Sequence, residues 1–325
     1  MENIVSNKVK KHIKNSARVD AVCSVLEITP KELTGLLTLM NIDEEIYSIS
    51  IDAEGNPIII KSTNYKRTVK AKENMDQLIC TKLCVVSDTH LCSEEQQLSL
   101  LNEIYLECHK KEIDTVLHIG DVVDGDYQNV RNEHRYAIFA HGYTRQKNYV
   151  VDMYPHVEGL TTYFITGSHD ATHFKNGGAI LGEDIAKERD DMVYLGQGEA
   201  IFVKNNIKML LKHPGGGNAK VISNKAQNIV DSLETGNKPG IAFIGHYHKS
   251  YYMLYRNVHT FLVPCIVGKT QFMKDNSLDN IVGAYFIDLY TTKKGEIQYL
   301  DFEEYRFDAK DYNPNDYIKC KKLTI

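Results

Sequence analysis

Two hydrophobic rhythms divide the chain near residue 75. Before it, apolar residues recur at helical spacing: Ile4, Val5, Val9 and Ile13 with lysines between them, then Val19, Val22, Val25 and Leu26. Thr29-Pro30-Lys31-Glu32 carries a capping box with proline at the first helical position, predicting a helix through Leu33, Leu36, Leu37 and Met40. Ile46 to Ile51, the turn Glu54-Gly55-Asn56-Pro57, and Ile58 to Ile60 predict a hairpin. From Leu83 onward, short apolar runs end in polar clusters and alternate with longer amphipathic segments, the pattern of strands alternating with helices. The runs are 83–87, 116–119, 163–166, 209–212 and 241–244, with helices expected over 94–110, 128–153, 178–189 and 219–233. After Tyr251 the pattern turns to strands at 252–255, 258–263, 281–290 and 297–302, and the last dozen residues read as a loose tail.

A chain of 325 residues exceeds what one core usually organises, so a small domain over 1–75 and a large one over 76–325 are expected. The chain is 42% hydrophobic and 25% charged, which supports a packed globule and excludes a disordered one. No apolar run approaches the roughly 18 residues of a membrane span, and the Lys-bearing start lacks a signal peptide's apolar centre. The expectation is a cytoplasmic protein with no membrane partner. Seven cysteines without a CxxC pair fit reduced thiols. The net charge of -5 provides no global basic field, so a polyanion must be held locally. Residues 1–75 hold 11 Lys/Arg against 10 Asp/Glu, with Lys8, Lys10, Lys11, Lys14 and Arg18 clustered at the front and Asp43, Glu44 and Glu45 after the third helix. Three helices and a hairpin resemble a winged helix-turn-helix. That implies DNA contact through residues 1–75; a solvated face on a domain for dimerisation or partner contact fits the same pattern.

Chemistry concentrates where the runs end. In open α/β sheets, side chains just past the carboxyl ends of strands converge on one cleft. Asp88-Thr89-His90 follows the first run, Gly120-Asp121-Val122-Val123-Asp124 the second, Gly167-Ser168-His169-Asp170 the third, His213 the fourth, and Gly245-His246-Tyr247-His248 the fifth. Carboxylates and imidazoles without thiolates suit divalent manganese, iron, zinc or nickel. There are more ligands than one metal needs, so the expected cofactor is a pair of divalent ions, manganese foremost. Asp124 either orients a ligand or caps a following helix, the cap being expected.

In order and spacing these motifs resemble the calcineurin-like metallophosphoesterases (DxH, GDxxD, GNH(D/E), a lone His, GHxH), over about residues 83–250. The resemblance implies a two-sheet α/β sandwich with helices outside. It implies that Asp88, His90 and His248 hold one metal, that Asp121 bridges, and that His213 and His246 hold the other. It further implies that His169 contacts phosphate and protonates the leaving oxygen, with Asp170 orienting its ring. Ser168 stands where the family has an asparagine ligand to the second metal, and a hydroxyl is a shorter, weaker ligand.

The GDVVDG stretch lacks the arginine that often follows this motif in phosphomonoester members and looks closer to nuclease-type members. The expected activity is metal-dependent hydrolysis of a phosphodiester, foremost DNA, by activated water. A small cyclic or dinucleotide diester is the alternative, and a binding scaffold on a weakened fold the third. Arg131, Arg135, His134, His141 and His173 are left open between substrate contact and ordinary surface or core roles. His213-Pro214-Gly215-Gly216-Gly217 either turns backbone N–H groups toward phosphate or connects tightly into the next helix.

Overall fold

The computed structural model describes residues 11, 13, 16–44, 47–61, 78–127, 134–217, 221–234 and 238–308. The first expected helix, apart from residues 11 and 13, and the tail lie outside them. So do Arg131 and the side chains of His134 and Arg135. The chain forms two compact units, residues 1–73 and 74–325.

The first unit contains β1 (Ser16–Arg18), α1 (Val19–Leu26), α2 (Pro30–Glu44), β2 (Tyr47–Ile51) and β3 (Pro57–Lys61). The capping box forms: Glu32 Oε2 accepts from the Thr29 backbone N–H at 2.8 Å, and Thr29 Oγ1 accepts from that of Glu32 at 3.3 Å. The hairpin gains a third strand, because β1 pairs antiparallel with β3 in the order β1-β3-β2. Ile13, Val22, Leu33, Leu37, Tyr47 and Ile59 make its core.

The second unit is built on two sheets. A six-stranded sheet runs β14-β13-β4-β5-β6-β7, from β4 (Ile79–Val86), β5 (Thr115–Ile119), β6 (Thr161–Thr166), β7 (Met192–Gln197), β13 (Val282–Thr291) and β14 (Ile297–Phe307). Strands β4 to β7 are mutually parallel. A five-stranded sheet runs β11-β12-β10-β9-β8, from β8 (Glu199–Lys204), β9 (Ile207–Lys212), β10 (Ile241–Ile244), β11 (Tyr251–Tyr255) and β12 (Val258–Leu262). Period-2 alternation sends Leu83 and Val85 of β4 toward Met209, Leu211, Phe243 and Phe261 of the other sheet. Cys84 and Val86 face the opposite way, onto α3 (Leu98–Lys110), α4 (Tyr143–Met153) and α6 (Leu181–Glu188); α5 (Ala171–Gly177) precedes α6. On the outer side of the second sheet, α7 (Ile222–Asp231) covers Leu210 and Ala242 with Val230. The result is the expected two-sheet sandwich with helices outside.

Three elements differ from the expected pattern. The helix expected over 128–153 is α4 alone, preceded by one 3-10 turn at His134–Ala137; residues 128–133 lie outside the described ones. The helix expected over 178–189 is present as α6; the unexpected element is the separate α5 before it, which ends where Gly178 takes a left-handed conformation (φ 76°). Strands β7 and β8 went unread: Gly196 interrupts β7, and β8 sets apolar Ile201 and Val203 on its exposed side.

Candidate metal centre

All five motif segments sit at strand ends on one side of the sandwich, after β4, β5, β6, β9 and β10. The chain turns sharply there. Asp88, His90, Asp121, His246 and His248 all have positive φ, between 41° and 77°, a conformation costing roughly 1–3 kcal/mol for a residue with a Cβ. Glycines admit the crowding: a Cβ on Gly167 would come within 2.7 Å of the Asp121 amide nitrogen and of the His213 ring.

The turns bring the side chains into two clusters, Asp88 with His90 and His248, and Asp121 with His213 and His246; within each, the ligand atoms lie within 4.8 Å of one another. His248 Nε2 is 3.2 Å and His90 Nε2 3.8 Å from Asp88 Oδ1, and the two imidazole nitrogens are 3.3 Å apart. Asp88 Oδ2 is satisfied separately, by the Ser87 hydroxyl and, at 3.0 Å, the His246 backbone N–H. In the second cluster His213 Nε2 is 2.9 Å from Asp121 Oδ2. That short approach lacks hydrogen-bond geometry, so Asp88 Oδ1 and His213 Nε2 stay buried with no hydrogen-bond partner among the described residues. Carboxylate oxygens and imidazole nitrogens crowded this closely, two of them buried without a hydrogen bond, are the donor set of a divalent cation. Ser168 Oγ lies 3.4 Å from Asp121 Oδ2, beside the second cluster, where the missing asparagine would stand.

Outer partners fix the rings. His213 Nδ1 donates to the Ile119 carbonyl at 2.7 Å and His246 Nε2 to that of Gly216 at 2.7 Å, leaving His213 Nε2 and His246 Nδ1 as the ligand atoms. Gly216 therefore spends its carbonyl on a cluster histidine. Buried Cys265 hydrogen-bonds His248, a contact that sequence reading missed although Cys265 also follows a strand. The electrostatics fit a site built for cations. Burial opposes charge on His213, but the Asp121 carboxylate more than offsets it and raises the pKa to about 9. Burial likewise opposes charge on His248, yet Cys265 and Asp88 raise it to about 10. Asp121 is held far below the carboxylate range: burial alone would raise it, and the surrounding imidazoles outweigh that.

The acid dyad differs from expectation. Asp170 does not orient His169: its carboxylate turns back and accepts the backbone N–H groups of Val122 (3.1 Å), Val123 (2.9 Å) and Gly167 (2.8 Å), tying two site loops together. Asp124 takes the orienting role. Its Oδ1 lies 3.0 Å from His90 Nδ1 and 3.5 Å from His169 Nδ1, while its carbonyl accepts from His169 Nδ1 at 2.8 Å. Among the described residues the Asp124 carboxylate meets these two histidine rings and caps no helix. Asp121 Oδ1 also accepts the His169 backbone N–H at 2.8 Å, tying the histidine to the second cluster. His173 points elsewhere, hydrogen-bonding Gln146 at 2.9 Å in the interior.

His90 and His248 of the first cluster, Asp121 and His246 of the second, and His169 line one cavity of about 420 Å³, together with Gly216, Gly217, Val267, residues 270–273, Leu278 and Asp279. A family model described as the calcineurin-like phosphoesterase superfamily domain matches residues 81–277. No curated protein matches the chain. Among solved structures, an archaeal phosphodiesterase is 14% identical at a TM-score of 0.40, over 70% of this chain and 100% of that one. A predicted phosphoesterase from Streptococcus pneumoniae TIGR4 is 14% identical at 0.32, over 70% and 99%. Vps29 complexed with zinc from Entamoeba histolytica is 12% identical at 0.32, over 70% and 100%.

Proposed function

The chain belongs to the calcineurin-like phosphoesterase superfamily, and from that premise we propose that this metal-dependent phosphoesterase hydrolyses phosphodiesters. The observation that carries the reading is the pair of buried carboxylate and imidazole clusters opening, with His169, into one cavity. Divalent ions held by Asp88, His90 and His248 and by Asp121, His213 and His246, with manganese foremost, would acidify water and neutralise charge on the phosphoryl oxygens. The protein's own groups do the rest. Asp121, the expected bridging ligand, would hold the second ion with His213 and His246 while its other oxygen keeps the His169 backbone in place. His169, its Nδ1 held by the Asp124 carbonyl, presents Nε2 to the leaving oxygen and donates the proton. Asp124 keeps that ring and the His90 ring in register.

Charge supports a diester over a monoester. Among the described residues no Lys or Arg lines the cavity, so a monoester dianion would find no cation beyond the metals and histidines, whereas a diester carries one charge fewer. DNA is the leading diester, with residues 1–73 positioning the strand. The cavity's size supports the second reading, a small cyclic or dinucleotide diester, since about 420 Å³ lies toward the small end of small-molecule sites, about 300–1,000 Å³.

The test is cleavage of end-labelled single- and double-stranded DNA and of bis(4-nitrophenyl) phosphate by the full chain in manganese, with His169→Asn as control. Loss of DNA by the wild type alone supports the nuclease. Turnover of the small ester with intact DNA moves the assignment to small nucleotides. No turnover of either ester overturns the proposal.

A further inference from the structure

The cavity over the metal centre has two unlike halves. Its floor is ionic: His90, Asp121, Asp124, His169, His246 and His248. Facing it is a wall formed by Val267, Phe272, Met273 and Leu278, carried by the segment between β12 and β13 that includes the short helix α8 (Gln271–Asp275).

The wall is prebuilt. Thr270 Oγ1 accepts the Met273 backbone N–H at 3.3 Å, the Leu278 N–H donates to the Met273 carbonyl at 2.8 Å, and Asn280 Nδ2 ties the Val267 carbonyl at 2.8 Å. Val267 and Met273 belong to the main core, 0% and 9% exposed, and anchor the segment. Phe272, next to Met273, keeps 45% of its surface exposed and faces the cavity. The only other charged group toward this edge among the described lining residues is Asp279, which discourages a second phosphate. An ester whose phosphoryl group sits on the floor has this wall within the same cavity for one substituent, and an apolar wall with an aromatic ring accepts a flat, uncharged one.

We propose that this wall is a subsite for a planar ring carried next to the scissile phosphate, a nucleobase or an aryl ester, and that Phe272 is the residue that selects for it. The inference rests on the phosphodiesterase reading and names its substrate class. Stacking of one ring on an aromatic side chain is worth about 1–3 kcal/mol, roughly fivefold to a hundredfold in binding. Because the ring is bound alike in ground and transition states, the effect falls on KM.

The experiment follows turnover of bis(4-nitrophenyl) phosphate by the full chain in manganese. Phe272→Ala should raise KM about tenfold while kcat stays within about threefold, and Phe272→Tyr should restore the wild-type KM. Competition identifies where the ring comes from. If it is a base of nucleic acid, an oligothymidylate inhibits about tenfold better than an abasic oligomer of the same length, and Phe272→Ala removes the difference. If it belongs to a small nucleotide, cyclic AMP shows the Phe272-dependent inhibition instead. A KM unchanged in Phe272→Ala, or a fall in kcat that Phe272→Tyr does not repair, overturns the subsite. If the wild type turns over no faster than His169→Asn, it is the phosphodiesterase reading that has failed.

Discussion

At the scale of single residues, three aspartates of the site do three different jobs. Asp121 contacts His213 through one oxygen and the His169 backbone through the other. Asp121→Asn should therefore cost more in turnover than His246→Ala, which removes a terminal ligand, and should lower the bound metal counted by mass spectrometry toward one per chain or none. Asp124 is buried, which would raise its pKa, but its contacts with His169 and His90 hold it down at about 2. Asp124→Asn keeps the shape and removes the charge, and should lower kcat about 10–100-fold, as loss of an outer partner of a ligand histidine does. Asp170 goes the other way. Burial and then the Asp121 charge raise it to about 6, and three backbone N–H groups only partly compensate. A carboxyl raised in the folded state stabilises below its ordinary pKa of about 3.9, and the benefit is lost as pH rises through about 6. In the metal-free protein this contribution amounts to about 3 kcal/mol between pH 4 and 7. Denaturant titrations across that window should show a correspondingly flatter, or more positive, stability slope with rising pH in Asp170→Asn.

At the scale of elements, the strand exits were legible because chemistry and chain direction coincide there: a buried run and then a ligand, with a glycine between them at three of the five exits. Gly167 shows why the glycine is required, since a Cβ there meets Asp121 and His213 together. Overpacking of that kind costs about 1–3 kcal/mol, so Gly167→Ala should lower Tm by roughly 3–10 °C in calorimetry and weaken metal binding. What the sequence hid lacks such coincidence. Strand β7 is broken by Gly196, and β8 alternates in burial but carries Ile201 and Val203 on its exposed side, so neither shows a clean hydrophobic period of two in its sequence. Helix α8 has five residues, too few for a periodic stripe, and its place against the centre depends on Val267 and Met273 packing into the main core. The exchange of roles between Asp170 and Asp124 was equally unreadable, because adjacency to His169 in sequence suggested the partner while the loop after β5 delivers it in space.

At the scale of the whole molecule, charge and metal decide what the chain responds to. Its net charge is -5, with residues 1–75 at +1 and the remainder at -6, so the large unit repels polyanions until cations fill its carboxylate-rich centre. Metal binding is then also fold stabilisation: at a manganese concentration 100 times Kd one site adds about 2.7 kcal/mol, visible as a Tm rise that a chelator reverses. Salt separates the substrates by the same logic. If DNA is held through lysines and arginines of residues 1–75, each phosphate neutralised contributes about 0.9 to the slope of log K against log salt, and binding falls steeply between 50 and 200 mM. A small diester occupying the cavity meets no Lys or Arg among the described lining residues, and its kcat/KM should change less than about twofold over that range. Parallel salt titrations of DNA binding and of bis(4-nitrophenyl) phosphate turnover therefore test the division of labour. A DNA affinity as flat in salt as the ester's turnover would leave residues 1–75 without a part in holding a phosphate backbone.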